Sequence, residues 1–267
     1  MLNKKITFVG GGNMAEGIIR GIINTNTMNP EQITVSEIIP QRREYLKEAY
    51  NITVSGNQVE TSKSADIIFL AVRPQDAEES LRKISSALNS NQILISICAG
   101  IDLERLNLWT NGHRKIAKVM PNVLIEARHG YSGVCISENI SDDDQSIITE
   151  LFNAIGQTMF IPENLFNEFT AYSCAGPAYV MYFLSALIDA GVEAGFSRNN
   201  STSIAIENLI GSGLMIEKTR KHPNQITDTM TSPAGVTIEG CHVLSKSGFH
   251  GIVMDAINAA VKRANEF

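Results

Sequence analysis

A glycine-rich turn directly after the first apolar run is the feature that most constrains how this chain folds. The run Lys5–Gly10 (KITFVG) leads into GGGNMA, which follows the pattern GxGxxA. In a strand–turn–helix unit, the first glycine permits a tight turn, the second lets the backbone approach a pyrophosphate, and a small third residue allows the helix to pack closely on the strand. The stretch predicts a dinucleotide site with contacts from Val9, Gly10, Gly11, Gly12, Asn13 and Met14.

The first half of the chain repeats this alternation of strand and helix. Five short runs rich in Ile, Val and Phe have the length of strands buried on both faces of a parallel sheet. They are Lys5–Gly10, Gln32–Glu37, Ala65–Val72, Gln92–Ile97 and Lys115–Met120. Helices are predicted at Asn13–Asn24, at Pro40–Tyr50 and, behind the candidate N-cap Ser141, at Gln145–Ile155. The predicted fold class is α/β, with an N-terminal Rossmann-like doubly wound sheet.

The pattern of apolar residues changes after Pro162. Strand-like runs give way to long stretches with Ala, Leu, Ile, Met and Gly at helical spacing. We therefore predict two domains, residues 1–162 for dinucleotide binding and residues 163–267 as an all-helical domain. These helices are apolar on more than one face, which a lone domain of about a hundred residues could not bury, so we expect self-association through this domain.

Composition narrows the partners to small molecules and other protein chains. The 267 residues include 22 basic and 28 acidic ones, a net charge of -6, which argues against nucleic-acid binding. The four cysteines are dispersed without CxxC spacing, as expected of buried thiols in a reducing cytoplasm. No HxH or HExxH pair indicates a metal site, and no segment approaches the roughly 18–20 apolar residues of a membrane span. A cytoplasmic protein without metal or membrane is expected.

Glu37 ends the second predicted strand, 22 positions beyond Ala15. At that position a carboxylate can accept hydrogen bonds from the adenosine ribose hydroxyls, which favours NADH over NADPH. Arg42 and Arg43 follow, and they could receive a 2'-phosphate or could equally be solvated charges on a helix face. The sequence leaves NADH or NADPH open, with a lean toward NADH.

Two further turns stand where parallel strands are predicted to end. Ligands bind at the carboxyl ends of such strands, so both turns are expected to flank the nicotinamide half of the cofactor. The residues are Ala71, Val72, Arg73 and Pro74 in one turn, and Cys98, Ala99 and Gly100 in the other.

The stretch TSPAGVTIEG, from Thr231, places hydroxyls, a proline and a glycine just before a helix-like run. Such residues are the commonest at a helix start, so cap and turn roles explain the pattern on their own. The Ser232 and Thr237 hydroxyls, with the amides near Gly235 and Val236, could also bind a carboxylate at the helix N-terminus. The residues alone leave both interpretations open.

Taken together, these segments resemble the pyrroline-5-carboxylate reductases. The similarity is carried by GGGNMAEGIIRGII, LAVRPQD, SICAGI, KVMPN, CAGPAYV, His222-Pro223 and TSPAGVTIEG followed by HVL, and it covers nearly the whole chain. It implies a nucleotide-binding domain, a helical dimerisation domain and active sites at subunit boundaries. It also implies reduction of 1-pyrroline-5-carboxylate to L-proline with NADH or NADPH. On this resemblance, Thr237 is the candidate catalytic residue, and the candidate substrate-binding residues are Ser232, Gly235, Val236 and Thr237.

The chain departs from the family pattern at segments expected to face the substrate. Ala234 replaces a glycine, Cys174-Ala175 replaces Gly-Ser, and Val123-Leu124 replaces Thr-Pro. Two alternatives therefore stay open: a paralogue that reduces a related cyclic imine, and a member that has lost catalysis and acts through regulatory contacts. If position 234 requires a positive φ, the methyl group of Ala234 must strain or reshape the loop.

Overall fold

The computed structural model describes residues 1–266 and divides them into two compact units, Met1–Cys174 and Ala175–Glu266. The segment that starts at Glu163 and ends at Cys174 falls in the first unit. Its start is held there by the buried Lys118, whose Nζ lies 4.2 Å from the centre of the Phe166 ring and 3.9 Å from Glu163 Oε1. A domain boundary after residue 162 stays a prediction.

Among the described residues, eight strands form one sheet in the order β3-β2-β1-β4-β5-β6-β7-β8. The strands are β1 Ile6–Val9, β2 Ile33–Ser36, β3 Thr53–Ser55, β4 Ile67–Leu70, β5 Ile93–Ser96, β6 Ile116–Pro121, β7 Gly130–Ile136 and β8 Gly156–Phe160. Neighbouring strands are parallel except β6 and β7, which are antiparallel. The order 3-2-1-4-5-6 is that of a doubly wound dinucleotide-binding sheet, and it reverses between β1 and β4. The predicted Rossmann-like class is confirmed.

The five predicted strands all form. Each consists mostly of apolar residues whose side chains are buried on both faces of the sheet. Three strands were not predicted. β3 has only three residues, β7 (GYSGVCI) begins with small and polar residues, and β8 (GQTMF) is a partly exposed edge strand. Their sequences lack the continuous apolar run that marks a central parallel strand.

Seven α-helices lie within residues 1–174. They are α1 Asn13–Asn24, α2 Pro40–Tyr50, α3 Gln58–Lys63, α4 Ala77–Ile84, α5 Leu103–Trp109, α6 Asp142–Asn153 and α7 Phe166–Phe169. α1 and α2 have the predicted bounds, whereas α6 begins at Asp142 instead of Gln145. α1 packs closely because of its glycines: a methyl group at Gly21 would lie 2.1 Å from Ile155 Cγ2.

Apolar side chains cover both faces of the sheet. One cluster packs under α1 and α6 and includes Phe8 and Phe69, whose rings stack 4.4 Å apart. The other packs under α4 and α5 and includes Leu70 and Leu94. Because both faces are covered, a ligand reaches the backbone of this sheet at the strand ends.

The second unit consists of helices throughout its described residues, 175–266, as predicted. They are α8 Gly176–Glu193, α9 Arg198–Thr219, α10 Pro223–Met230, α11 Val236–Lys246 and α12 Phe249–Ala264. Within that range the buried residues are Pro177, Ser201, Ala205 and Ile226. Many large apolar side chains are exposed, among them Met181, Tyr182, Leu214, Val243 and Met254. One copy of this unit therefore has very little core of its own.

The expectation that no segment has the length and hydropathy of a membrane span was wrong. The helical stretch Glu163–Glu193 has 31 residues and a mean hydropathy of 1.3 in its most apolar window, and little of it is buried. Length and composition alone do not distinguish a membrane span from a helix that another subunit covers. The stretch also contains a π-helical turn at Thr170–Cys174.

Asp144 belongs to a polar cluster at the start of α6. The Asp144 amide donates to Ser141 Oγ at 3.2 Å, while Asp144 Oδ2 accepts from the Ser141 amide at 3.0 Å and from Lys115 Nζ at 2.9 Å. This capping box confirms Ser141 as the N-cap. Burial by itself would raise the pKa of Asp144, but the hydrogen bonds from Lys115 and Ser141 outweigh it and hold the pKa below its ordinary value of 3.8.

We expect Asp144→Asn to lower the free energy of unfolding by about 1–2 kcal/mol at neutral pH, because the variant loses the charge that holds Lys115. A carboxyl group whose pKa is lowered by folding stabilises the fold above its unfolded pKa, and this contribution is lost as the pH falls through the folded pKa. The stability difference between wild type and variant should therefore be constant above about pH 4 and shrink below it. Urea unfolding over a pH series measures this difference.

The exposed neighbour Asp143 provides the matched control for this experiment. Asp143→Asn removes the same charge from the same helical turn and should change stability by less than about 0.5 kcal/mol. An Asp144→Asn effect that stays constant from neutral to strongly acidic pH would contradict the role assigned to the carboxylate.

Candidate functional site

A cavity of about 790 Å³ opens at the carboxyl ends of β1, β2, β3 and β4. It lies where the strand order reverses, which is where doubly wound sheets bind their ligands. Its lining combines the glycine turn after β1, the residues after β2 and β4, the start of α3 and one side of α4. A pocket of this size and position suits a nucleotide.

About half of the residues predicted to bind the cofactor line this cavity. Those in the lining are Gly10, Gly11, Gly12, Glu37, Ala71, Val72 and Arg73. The other predicted residues are outside the lining, and they are Val9, Asn13, Met14, Pro74, Cys98, Ala99 and Gly100. Val9 is the buried last residue of β1, and Asn13 starts α1. Contact of each residue with a cofactor stays a prediction.

Gly10 and Gly12 are glycines for different physical reasons. Gly10 has a φ of +100°, and a methyl group there would lie 2.6 Å from the Ala71 carbonyl oxygen, so folding itself requires glycine. Gly12 has a φ of -70°, and a methyl group there would meet nothing within 4 Å. The space in front of Gly12 adjoins the first turn of α1, whose amides have no partner within the helix. This open approach to helix amides fits a pyrophosphate.

Glu37 lies beside the glycine turn. Its Oε2 accepts from the Gly11 amide at 2.9 Å, and its Oε1 accepts from the Ile39 amide at 2.9 Å. Both oxygens are therefore held, and the carboxylate has a defined orientation in the cavity lining. Ile38 and Ile39 are exposed next to it and offer apolar surface to the flat face of a nucleotide base.

The two arginines after Glu37 are engaged with the protein itself. Arg42 Nε donates to the Gly11 carbonyl at 2.7 Å, and its Nη2 forms an ion pair with Glu16. Arg43 Nη1 donates to the Glu37 carbonyl at 2.6 Å. These contacts differ from the solvated charges that the sequence left open, and a 2'-phosphate role for either arginine stays a prediction. Both guanidinium groups hold backbone carbonyls of the cavity lining, at Gly11 and at Glu37.

Cys98 supports the site from outside the cavity lining. Its thiol donates to the Val72 carbonyl at 3.2 Å, which holds the turn after β4. Burial raises the pKa of Cys98 to about 11, so the thiol stays neutral at physiological pH and is a poor nucleophile or metal ligand. Within residues 1–266, no group of three or more His, Cys, Asp and Glu side chains is placed to hold a metal ion.

One wall of the cavity was not predicted from the sequence. The additional lining residues are Ser36, Ile38, Ile39, Gly56, Asn57, Gln58, Val59, Asp76, Glu79, Ser80 and Lys83. Most of them follow β3 or lie along one side of α4 and at its N-cap, Asp76, and β3 is too short to recognise as a strand. The available signal was Gly56-Asn57, a typical turn pair in which the asparagine caps the following helix, α3.

In the second unit, the residues from Ser232 to Gly235 form a tight turn in front of α11. The Gly235 amide donates to the Ser232 carbonyl at 3.0 Å. Ala234, the third residue of the turn and the one directly after Pro233, has a φ of +58°. Proline followed by a residue with positive φ is the pattern of a type II turn. This conformation costs a residue with a Cβ atom about 1–2 kcal/mol more than it costs glycine. Position 234 thus has the positive φ on which the expected strain depended.

The turn presents two hydroxyl groups to solvent. A methyl group at Gly235 would lie 2.4 Å from Ser232 Oγ, so glycine there leaves room for the serine side chain. Ser232, Val236 and Thr237 are exposed, and the Ser232 and Thr237 hydroxyls form no hydrogen bond to another residue within 1–266. With the unpartnered amides of the first turn of α11, these groups have the chemistry to bind a carboxylate.

Asn122, in the segment KVMPN, joins three pieces of the first unit. Its buried Oδ1 accepts from the amides of Leu124 at 3.1 Å and Tyr131 at 3.3 Å. Its Nδ2 donates to the Ser173 carbonyl at 3.2 Å. Asn122 therefore ties the end of β6 to the start of β7 and to the π-helical turn Thr170–Cys174. No local pattern in the sequence indicated this role.

Two family models match the chain. A model described as pyrroline-5-carboxylate reductase dimerisation matches residues 163–267. A second, described as NADP oxidoreductase coenzyme F420-dependent, matches residues 5–100, which include the glycine turn and Glu37.

Curated proteins and solved structures resemble the chain over nearly its full length. The pyrroline-5-carboxylate reductase of Arabidopsis thaliana is 34% identical, covering 98% of this chain and 95% of that protein. The protein of the same name from Synechocystis is 35% identical, covering 98% and 97%. A pyrroline-5-carboxylate reductase structure from Coxiella burnetii is 26% identical with a TM-score of 0.94, covering 99% and 98%. The Plasmodium falciparum pyrroline carboxylate reductase with NADP bound is 32% identical with a TM-score of 0.87, also covering 99% and 98%.

Gly12→Ala should separate nucleotide binding from folding. Because a methyl group at Gly12 meets no protein atom, we expect unfolding free energy to change by less than about 1 kcal/mol, while affinity for NADH and NADPH falls at least about tenfold. Gly10→Ala is the comparison variant and should lose both stability and affinity, since its methyl group collides with Ala71. Urea unfolding and nucleotide fluorescence titration measure the two quantities. Wild-type affinity in Gly12→Ala would rule out a phosphate next to this glycine.

Ala234→Gly should stabilise the second unit. Relief of the positive φ gains about 1–2 kcal/mol and the added freedom of the unfolded chain costs about 0.5–1 kcal/mol, which leaves a net gain of about 0.5–1 kcal/mol. Ala186→Gly, in the interior of α8, is the matched control and should destabilise. Urea unfolding of both variants gives the sign, and a loss of stability in Ala234→Gly similar to that of the control would contradict the strained turn.

Proposed function

This chain belongs to the pyrroline-5-carboxylate reductase family, and we propose that it reduces 1-pyrroline-5-carboxylate to L-proline with NADH or NADPH. The observation that carries the proposal is that relatives bearing this name match 98% of the chain. The similarity thereby includes both the glycine turn at Gly10 and the loop that runs from Ser232 to Thr237. The activity is that of an oxidoreductase acting on a carbon–nitrogen double bond.

The first unit holds the nucleotide. The glycine turn and the first amides of α1 bind its pyrophosphate, Glu37 accepts from the adenosine ribose, and the turns after β4 and β5 flank the nicotinamide. When bound, the reduced nicotinamide supplies a hydride to the imine carbon, and the electron pair of the C=N bond moves to the ring nitrogen. The fit of the site to this group is supported by the open space in front of Gly12.

The loop before α11 holds the substrate carboxylate. The hydroxyls of Ser232 and Thr237 and the Val236 amide donate to its oxygens, while the Gly235 amide closes the turn on the Ser232 carbonyl. The positive end of the α11 dipole favours the negative charge. If the imine binds already protonated, its carbon is electrophilic and the protein supplies no strong acid. The residues then act mainly by positioning, and the Thr237 hydroxyl oxygen can accept from the N–H of the protonated ring, directly or through a water.

The helical unit mediates self-association. Its match to a dimerisation model and its exposed apolar side chains, such as Met181 and Tyr182, support this assignment. The partners are a small imino acid and a second copy of the chain, without nucleic acid or membrane. Four free cysteines support a reducing, cytoplasmic location.

A related cyclic imine is the second candidate substrate. It is favoured by Ala234, whose methyl group and positive φ alter the loop assigned to the substrate. Val123, in the segment that departs from the family pattern, is also exposed. A catalytically inactive regulatory member is the third reading, and it requires that nucleotide binding be retained without turnover.

Loss of reduced-nicotinamide absorbance distinguishes these functions. Purified protein is mixed with 1-pyrroline-5-carboxylate and NADH or NADPH, and L-proline is quantified as the product. Turnover with proline formation supports the proposal. Turnover confined to another imine of a panel supports the paralogue, and nucleotide binding without turnover on any imine supports the inactive member.

Thr237→Ala should weaken substrate use while leaving the nucleotide bound. Loss of one hydroxyl that donates to a carboxylate is worth roughly 1.5–3 kcal/mol, which corresponds to a fall of about 10- to 100-fold in kcat/KM for the imine. Nucleotide affinity should change less than about twofold, because Thr237 lies in the first turn of α11 and outside the lining of the nucleotide cavity. Steady-state kinetics and fluorescence titration measure the two effects.

Thr227→Ala is the matched control, since Thr227 lies in α10 and its hydroxyl donates to the Pro223 carbonyl. It should retain wild-type kcat/KM within about twofold. Equal losses of substrate use and nucleotide affinity in Thr237→Ala would be incompatible with the role assigned to this residue.

A further inference from the structure

We infer that Glu37 makes this enzyme select NADH over NADPH, an inference that rests on the proposed function. Glu37 directly follows β2 and lines the cavity at the carboxyl end of that strand. In doubly wound sheets the adenosine ribose binds there, and the 2'-substituent of that ribose is the difference between the two cofactors. Glu37 is therefore a specificity-determining residue.

The carboxylate of Glu37 is held as a pure acceptor. The Gly11 and Ile39 amides each donate to one of its oxygens at 2.9 Å, which fixes the orientation of the group. An ionised carboxylate offers about four acceptor positions, so each oxygen can accept one more hydrogen bond. The two ribose hydroxyls of NADH supply those donors, whereas a 2'-phosphate supplies none.

A 2'-phosphate would also bring charge repulsion. At neutral pH a phosphate monoester carries a charge of about -1.5 to -2. Two like charges in contact near a protein surface, where the effective dielectric constant is low, repel strongly. Binding of NADPH at this carboxylate therefore requires a cation close enough to compensate.

The nearby cations are already committed to other partners. Arg42 donates to the Gly11 carbonyl and pairs with Glu16, and Arg43 donates to the carbonyl of Glu37 itself. The other basic side chains of the lining are also paired. These pairs are Arg73 with Asp76 at 2.7 Å and Lys83 with Glu79 at 2.5 Å.

The lining therefore has an excess of negative charge at Glu37. Its charged side chains are Glu37, Asp76, Glu79, Arg73 and Lys83. Among residues 1–266, the Glu37 carboxylate forms no ion pair, while the other four pair with one another. This excess of negative charge disfavours binding of NADPH. The Plasmodium falciparum structure, by contrast, has NADP bound.

The test compares both cofactors with and without the carboxylate. Dissociation constants for NADH and NADPH are measured by nucleotide fluorescence in the absence of substrate, and kcat/KM for each is measured with 1-pyrroline-5-carboxylate. We expect wild type to favour NADH at least about tenfold in both measurements. Glu37→Gln keeps the size of the side chain and removes its charge, and it should reduce that preference at least about tenfold, chiefly by improving NADPH. Glu44→Gln, an exposed α2 residue outside the lining, should leave the preference unchanged.

Each outcome decides between a specificity role and the alternatives. Equal weakening of both cofactors by Glu37→Gln would overturn the inference, because it would assign Glu37 only to holding the Gly11 and Ile39 amides. Wild-type preference for NADPH, removed by Arg43→Gln, would also overturn it and make Arg43 a phosphate ligand. Selective NADH binding without turnover with either cofactor would refute the proposed reaction and leave this inference intact.

Discussion

The close approach of the backbone at Gly10 to the backbone at Ala71 is the contact on which the nucleotide site depends. The Gly10 amide donates to the Ser36 carbonyl at 2.8 Å, and the Ala71 amide donates to the Val9 carbonyl at 2.8 Å. The end of β1 is thus joined to β2 on one side and to β4 on the other, at the point where the strand order reverses. A side chain at Gly10 would force these strands apart. The cavity, Glu37 and the first turn of α1 all take their positions from this contact.

The loop before α11 uses its backbone differently. Gly235 leaves room for the Ser232 side chain, whereas Ala234 takes a conformation that glycine adopts at lower cost. Strained backbone of this kind persists where surrounding structure holds it, and it is often found at ligand-binding segments. Here the helix that follows and the hydrogen bond between Ser232 and Gly235 hold the turn. The result is a pair of hydroxyls facing solvent in front of helix amides.

Much of the nucleotide site could be predicted because its parts are local in sequence. The glycine turn, α1 and Glu37 at the end of β2 are read from one strand–turn–helix–strand unit. The part of the cavity lining that follows β3 could not be predicted, because a three-residue strand has no detectable periodicity. Cys98 stands at a strand end, as predicted, yet it is outside the cavity lining and its thiol donates to the carbonyl of Val72, a lining residue. Side-chain direction depends on neighbouring strands that the local pattern does not describe.

By itself, the sequence determined the alternating strands and helices of the first half, the helical second half, and the residue types available to bind a dinucleotide and a carboxylate. These follow from periodicity and from the few residues that tolerate a turn or a helix start. Only the tertiary structure decided that β7 runs antiparallel to β6, that Arg42 and Arg43 brace the backbone, and that Ala234 has a positive φ. The physical reason is that strand direction, guanidinium partners and backbone strain are settled by contacts between residues distant in sequence or by a local conformation that opposes intrinsic preference.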